Sequence, residues 1–208
     1  MALSLPRDAR EELELAGGVV LYDVSTALPR KQHPRGMDRR PKDAKIERAY
    51  VHHSGALGRG GFPGALSATE FVMGKKKSPF PGAPYHFWLP YRDERDHTGR
   101  LVVLRLAEDE YRAWHTGGDA NHHGIGVALQ GNLSKTGPSA SQIEGLEALL
   151  PWLIQRHGLV MPLGISWHAE GDRFGGRSKS SCPGKPTVAW LEDYRERVVA
   201  PDPLKSAA

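Results

Sequence analysis

Cysteine is almost missing from this chain: Cys182 is the only one in 208 residues. A single thiol excludes an intrachain disulfide, so Cys182 must be read through reactivity, metal binding or packing. Long hydrophobic runs are missing too. No apolar stretch approaches the roughly 18 residues that a membrane-spanning helix needs. The opening string MALSLPRDAREELEL lacks a basic segment followed by an apolar one. No secretory signal is therefore expected: the chain would be made in a cytoplasm and reach any outside target by lysis or another exit route. Internal repeats are absent, which argues against a solenoid.

What is present is ordinary for a soluble domain: 39% hydrophobic and 25% charged residues, with a formal charge of +4. The length suits one domain with a sizeable core, and a monomer is expected. Basic residues gather between Arg30 and Arg48 (Arg30, Lys31, Arg35, Arg39, Arg40, Lys42, Lys45, Arg48), against Asp38, Asp43 and Glu47. Pro29, Pro34, Gly36 and Pro41 interrupt them, so the stretch reads as an extended arm. Such an arm suits a polyanion, nucleic acid or an anionic cell wall. No aromatic residue interleaves with these charges, which weakens single-strand stacking, and nucleic acid is not the expected partner.

Patterning predicts a short helix over residues 6–15, a strand from Val19, and a β-rich run, ERAYVHHSG, that delivers His52 and His53 to a sheet edge. GALGRGGFPGAL reads as a Gly-rich loop, and Ser67 with Glu70 as the capping box of a short helix ended by Gly74 and Pro79. PYHFWLPY and RLVVLRL pair as a hairpin, and GIGVALQG reads as a short buried strand. Ser139 and Gln142 open a longer helix with Ile143, Leu146, Leu149, Leu150, Leu153 and Ile154 on one face, interrupted at Pro151. A strand through Leu163, Ile165 and Trp167 carries His168, and Thr187 caps a last helix. The fold class expected is α/β, a single domain with a mixed central sheet flanked by helices.

Two imidazoles and one thiolate can hold a zinc ion with its fourth position open. His52, His168 and Cys182 supply that set. His52 and His168 stand 116 positions apart, so the site would be assembled by the fold and not by a local finger. Spacing alone does not separate such a set from packed histidines and an inert buried thiol.

The strings YVHHSG, PYHFWL, AWHTGG…NHHGIGVALQG and WHAEGD…SCPG stand in that order. Together they resemble the zinc-dependent N-acetylmuramoyl-L-alanine amidases, the superfamily of phage lysozyme-type endolysins and peptidoglycan recognition proteins. The resemblance covers roughly residues 46 to 199. It sets off residues 1–45 as an N-terminal extension with the basic arm and 200–208 as a tail. It implies one zinc ion on His52, His168 and Cys182, with His53 pointing elsewhere. It implies Tyr85 beside the reacting water, where the muropeptide-recycling branch would carry a Glu at the position of Ala128. His115 and, less securely, Asn121 match cleft residues that contact substrate. Phage-type members carry a Lys two residues before the Cys and recognition proteins often a Thr. Here Ser180 holds that position with Lys179 beside it, and both stay open as the oxyanion partner. Asp172 is a substitute ligand should Cys182 not bind.

The implied activity is hydrolysis of the amide joining N-acetylmuramic acid to L-alanine in peptidoglycan, by a phage or prophage endolysin. The rival readings are a non-catalytic peptidoglycan-binding module of the same fold and a nucleic-acid-binding protein using the basic arm.

Overall fold

A computed structural model describes residues 5–31, 39–56, 58–76, 79–176 and 180–199. Lys179, the 32–38 part of the basic arm and the 200–208 tail lie outside them. Among the described residues the chain forms a seven-stranded mixed sheet and three α-helices. The strands are β1 (Arg10–Glu14), β2 (Val19–Asp23), β3 (Arg48–His53), β4 (Phe87–Leu89), β5 (Leu101–Arg105), β6 (Gly124–Leu129) and β7 (Ile165–Trp167). Their order across the sheet is β1-β2-β5-β4-β6-β3-β7. β1–β2 and β4–β5 are antiparallel, and the other neighbours run parallel.

The central strands are near-continuous apolar runs such as VVLYD, LVVLR and GIGVAL, as expected where both faces are covered. On one face Val19, Leu21, Val51, Phe87, Leu89, Val127 and Leu129 meet Leu146, Leu149 and Leu153 of α2 (Ala140–His157) and Leu191 of α3 (Lys185–Val199). Each fully buried leucine there contributes about 1.5–3 kcal/mol. On the other face Val20, Tyr22, Val102, Leu104, Trp88 and Ala128 meet Ala65 of α1 (Gly61–Met73).

Several expectations need correction. Residues 6–15 do not form a helix: 10–14 are edge strand β1, whose charged REELE string faces solvent while its Glu11 and Glu14 pair with Arg100. The region before residue 46 therefore supplies two strands of the sheet. Helix α1 begins at Gly61, inside the expected Gly-rich loop, and Ser67 lies within it. Pro63 fits because first-turn amides have no intrahelical acceptor in any case. The Ser139–Gln142 capping box is present, but α2 runs on through Pro151 to a left-handed Gly158. Helix α3 begins at Lys185, so Thr187 sits in its first turn and donates to the Pro183 carbonyl.

Several cations of the basic arm are already engaged within the protein. Arg30 pairs with Glu108 at 3.2 Å, and Lys31 donates to the Met73 carbonyl. Arg40 is only 8% exposed, and its guanidinium donates to the carbonyls of Asp109, Asn121, His122 and Gly124. That makes Arg40 a clasp on the loop before β6, where the sequence suggested a solvated charge.

Candidate metal centre and its cleft

Sheet register builds the site. Tyr22, Leu104, Trp88, Ala128 and His52 stand opposite one another from strand to strand, on the face covered by α1. His52 ends this row and is fully buried. Its neighbour Ala128 is too short to reach the centre, so no carboxylate comes from that strand. His53 points to the opposite face, as alternation requires, and its Nδ1 accepts the Leu133 amide at 3.1 Å.

β7 pairs Trp167 with Val51, so His168 leaves the sheet beside His52, and their rings lie 4.7 Å apart. Cys182 arrives on the next loop. Its carbonyl accepts the Ala169 amide at 3.0 Å and its Sγ the His53 amide at 3.2 Å. Gly184 lets that loop close: a Cβ there would fall 2.6 Å from Cα of Ser134, and its φ is +99°. Sγ of Cys182 then stands 4.0 Å from Nδ1 of His52. One ligand atom from each of His52, His168 and Cys182 lies within 4.8 Å of the others. Asp172 is exposed and is not in this group.

The electrostatics suit a cation. Burial holds the His52 imidazole well below its ordinary pKa and lowers His168 as well, so both keep a lone pair near neutrality. Nε2 of His168 is buried without a hydrogen-bond partner, a costly state that an ion would relieve. Burial pushes the Cys182 thiol up to about 12, so binding a metal there must displace its proton. Two nitrogens and a sulfur are a soft donor set suited to zinc and unlike the all-oxygen sites of magnesium or calcium. The three residues are therefore close enough, and chemically fitted, to bind a metal.

Tyr85, two residues before β4, places its ring 5.2 Å from that of His52. Burial, with Cys182 nearby, raises its phenol above the ordinary value, so it remains a hydrogen-bond donor. It lines a cleft of about 740 Å³ together with His115, His168, Trp114, Arg112 and Lys75. It also lines a second groove of about 400 Å³ along α1.

The two residues matched as substrate contacts are both largely buried. Asn121 is 6% exposed, and its Oδ1 accepts the amides of His115, Thr116 and Gly117, shaping the turn that carries His115. His115, also 6% exposed, sets its Nδ1 3.1 Å from Nε2 of His52. Both border the cleft, yet these hydrogen bonds run into the protein. The Ser180 hydroxyl accepts the Cys182 amide at 3.1 Å, and Lys179 lies outside the described residues.

Sequence reading missed the buried pair behind His168. Glu170 accepts from Ser166 at 2.6 Å and from Arg195 of α3 at 2.5 Å, and Arg195 also holds the Ile165 carbonyl at 2.7 Å. Together they tie β7 and the turn after His168 to α3. The signal was an acid two places after a candidate ligand; its partner lay in a helix read only for its apolar side.

No curated protein sequence matches the chain. Among solved structures, Drosophila peptidoglycan recognition protein SD is similar with a TM-score of 0.62 at 18% identity, covering 82% of this chain and 92% of its own. A structure of tracheal cytotoxin bound to the ectodomain complex of recognition proteins LCa and LCx gives a TM-score of 0.64 at 18% identity, covering 84% and 95%. The endolysin N-acetylmuramoyl-L-alanine amidase LysCS from Clostridium intestinale gives 0.54 at 16% identity, covering 73% and 84%. At such identities these likenesses establish the fold. The sequence profile of N-acetylmuramoyl-L-alanine amidase matches residues 42–185, which take in His52, Tyr85, His115, His168 and Cys182. With most of its length under that profile and the matching fold around the cluster, the chain belongs to the N-acetylmuramoyl-L-alanine amidase family.

Proposed function

We propose that this chain is a zinc-dependent peptidoglycan hydrolase that cuts the amide between N-acetylmuramic acid and L-alanine. The observation that carries the reading is the convergence of His52, His168 and Cys182 within 4.8 Å, beside Tyr85, with His168 and Tyr85 lining an open cleft. His52, His168 and Cys182 would hold the ion. When bound there, zinc would supply an activated water near neutral pH and a Lewis acid for the scissile carbonyl. The phenol of Tyr85, kept protonated by burial, donates to the water or to the developing oxyanion. The cleft positions the stem peptide against these groups. Ser180 acts on the loop, through the Cys182 amide, and Lys179 is the candidate for a second donor to the oxyanion.

The setting we favour is a bacteriolytic endolysin of phage or prophage origin, supported by the likeness to the Clostridium enzyme. The second reading, a binding module without catalysis, draws on the recognition proteins of the same fold, one complex of which was solved with tracheal cytotoxin. Digestion of purified peptidoglycan separates the two. The amidase reading expects new L-alanine amino termini, no new reducing sugar ends, loss of activity on chelation and recovery with zinc. New reducing ends would mark a glycosidase, and wall binding without cleavage a recognition module.

A further inference from the structure

Behind His52 stands a second imidazole that contributes to no metal group. Nδ1 of His52 faces Cys182 at 4.0 Å, while its Nε2 lies 3.1 Å from Nδ1 of His115. The other nitrogen of His115 faces the Gly124 carbonyl at 3.4 Å, and the Thr116 hydroxyl lies 2.6 Å from Nδ1. A carbonyl only accepts, so the proton of a neutral His115 belongs on Nε2 and its Nδ1 is an acceptor. The hydrogen then shared with His52 must come from Nε2 of His52, which leaves Nδ1 of His52 with its lone pair on the Cys182 side. Nδ1 of His115 has one in-plane lone pair, so the Thr116 hydroxyl shares it with the His52 N–H as a bifurcated contact and adds no second full hydrogen bond.

The protein invests several residues in this contact. Gly126 of β6 makes room for it, since a Cβ there would fall 2.8 Å from Cγ of His115. Asn121 clamps the turn through three amides. His86 closes the far side, its ring 6.0 Å from that of His115 and its Nδ1 accepting the Gly126 amide. Metal-bound histidines commonly donate their second N–H to a carboxylate, a carbonyl or water. Here a neutral imidazole takes that part, and the cluster gains no extra charge.

We infer that His115 is a positioning residue for the metal centre, holding His52 in the tautomer and orientation that present Nδ1 to the ion. The inference rests on the metal reading above and is distinct from the substrate contact expected of His115.

The test is zinc affinity, measured by competition with a chromophoric chelator, for wild type and three variants. His115→Asn puts an amide oxygen where Nδ1 stands and keeps the acceptor; His115→Gln places its amide near Nε2; His115→Ala has neither. Loss of an outer partner costs roughly 10–100-fold in metal affinity. That loss is expected for Ala and Gln, with Asn within about threefold of wild type. Melting of the metal-free chains reports on folding, and should the Ala chain not fold, the Asn and Gln variants carry the comparison. Zinc affinity equal to wild type in all folded variants, with KM alone raised, would overturn the inference and make His115 a substrate contact. A wild-type chain that holds no zinc sinks the metal reading itself and the inference with it.

Discussion

Two buried polar clusters lie on opposite faces of the sheet, and they are built on different principles. On the α2 face, Asp109 accepts from Arg105 at 2.6 Å and Arg156 at 2.7 Å, with His157 at 3.4 Å, while Arg105 also pairs with Glu12. Charge there is matched by charge. On the α1 face, His52, His168 and Cys182 converge without an opposite charge among them, and a buried nitrogen of His168 has no partner. The first cluster is charge-matched within the described residues, although Nε of Arg105 and Nε2 of His157 are buried there without a hydrogen-bond partner. The second brings together two imidazoles and a thiol with no charged partner, a donor set close enough to hold a metal.

The sharpest way to break the contrast is Cys182→Ser. A hydroxyl does not ionise near neutrality, so the soft anionic ligand is lost. Bound zinc, measured by elemental analysis, should fall to background and peptidoglycan hydrolysis with it. The loss should exceed the roughly 10–100-fold that removal of an outer partner costs. Retention of both metal and activity would take Cys182 out of the centre.

Asp109→Asn probes the other cluster. Breaking a fully buried charge pair costs about 3–5 kcal/mol, and the loss here should fall below that, because Arg105 keeps Glu12 and Arg156 is 41% exposed. Denaturant melts should show that loss, with zinc affinity unchanged. Burial opposes ionisation of Asp109, but His157, Arg105 and Arg156 outweigh it and hold the carboxyl well below the usual carboxylate range. A depressed folded pKa means the contribution is full above the unfolded value near 4 and fades as pH falls below it. The wild type should therefore lose stability faster than Asp109→Asn on acidification in that range, so the two melts converge.

Tyr85→Phe returns to the metal cluster without touching a ligand. Removal of one oxyanion donor costs about 10²–10³ in kcat, or roughly 2.7–4 kcal/mol. Zinc content should stay at the wild-type level. A variant with wild-type kcat would reduce Tyr85 to packing against His52 and Trp88.

The two clusters were not equally legible. His52, His168 and Cys182 could be picked out because each sits in a short string of one family, and the strand-ending VHHSG run placed His52 on a sheet. The hydrogen bonds by which His115 meets His52 and Asn121 holds the turn were not legible, since the same strings serve residues with either surroundings. Asp109 and Arg40 gave no signal, because a charge in a polar string looks solvated until the fold brings its partners. The β1 segment misled for a related reason. REELE has helical composition, but pairing with β2 and the reach of Arg100 to Glu11 decide its state. The early start of α1 was masked by GRGGFPG, whose glycines and proline suit a first turn as well as a loop.

The smallest effect is expected at Ser180. Its hydroxyl accepts the Cys182 amide at 3.1 Å, a local bond that shapes the ligand loop. Ser180→Ala should therefore cost about 0.5–1.5 kcal/mol in stability, the net worth of one such bond. Zinc affinity and kcat should stay within a few-fold of wild type, because the Ala169 and His53 amides still hold the Cys182 loop in place. Ser180→Thr, which keeps the oxygen, should recover the stability. A fall in kcat of about a hundredfold, with zinc retained, would match the loss of an oxyanion donor. Ser180 would then face the substrate, and Lys179 would lose its claim to that position.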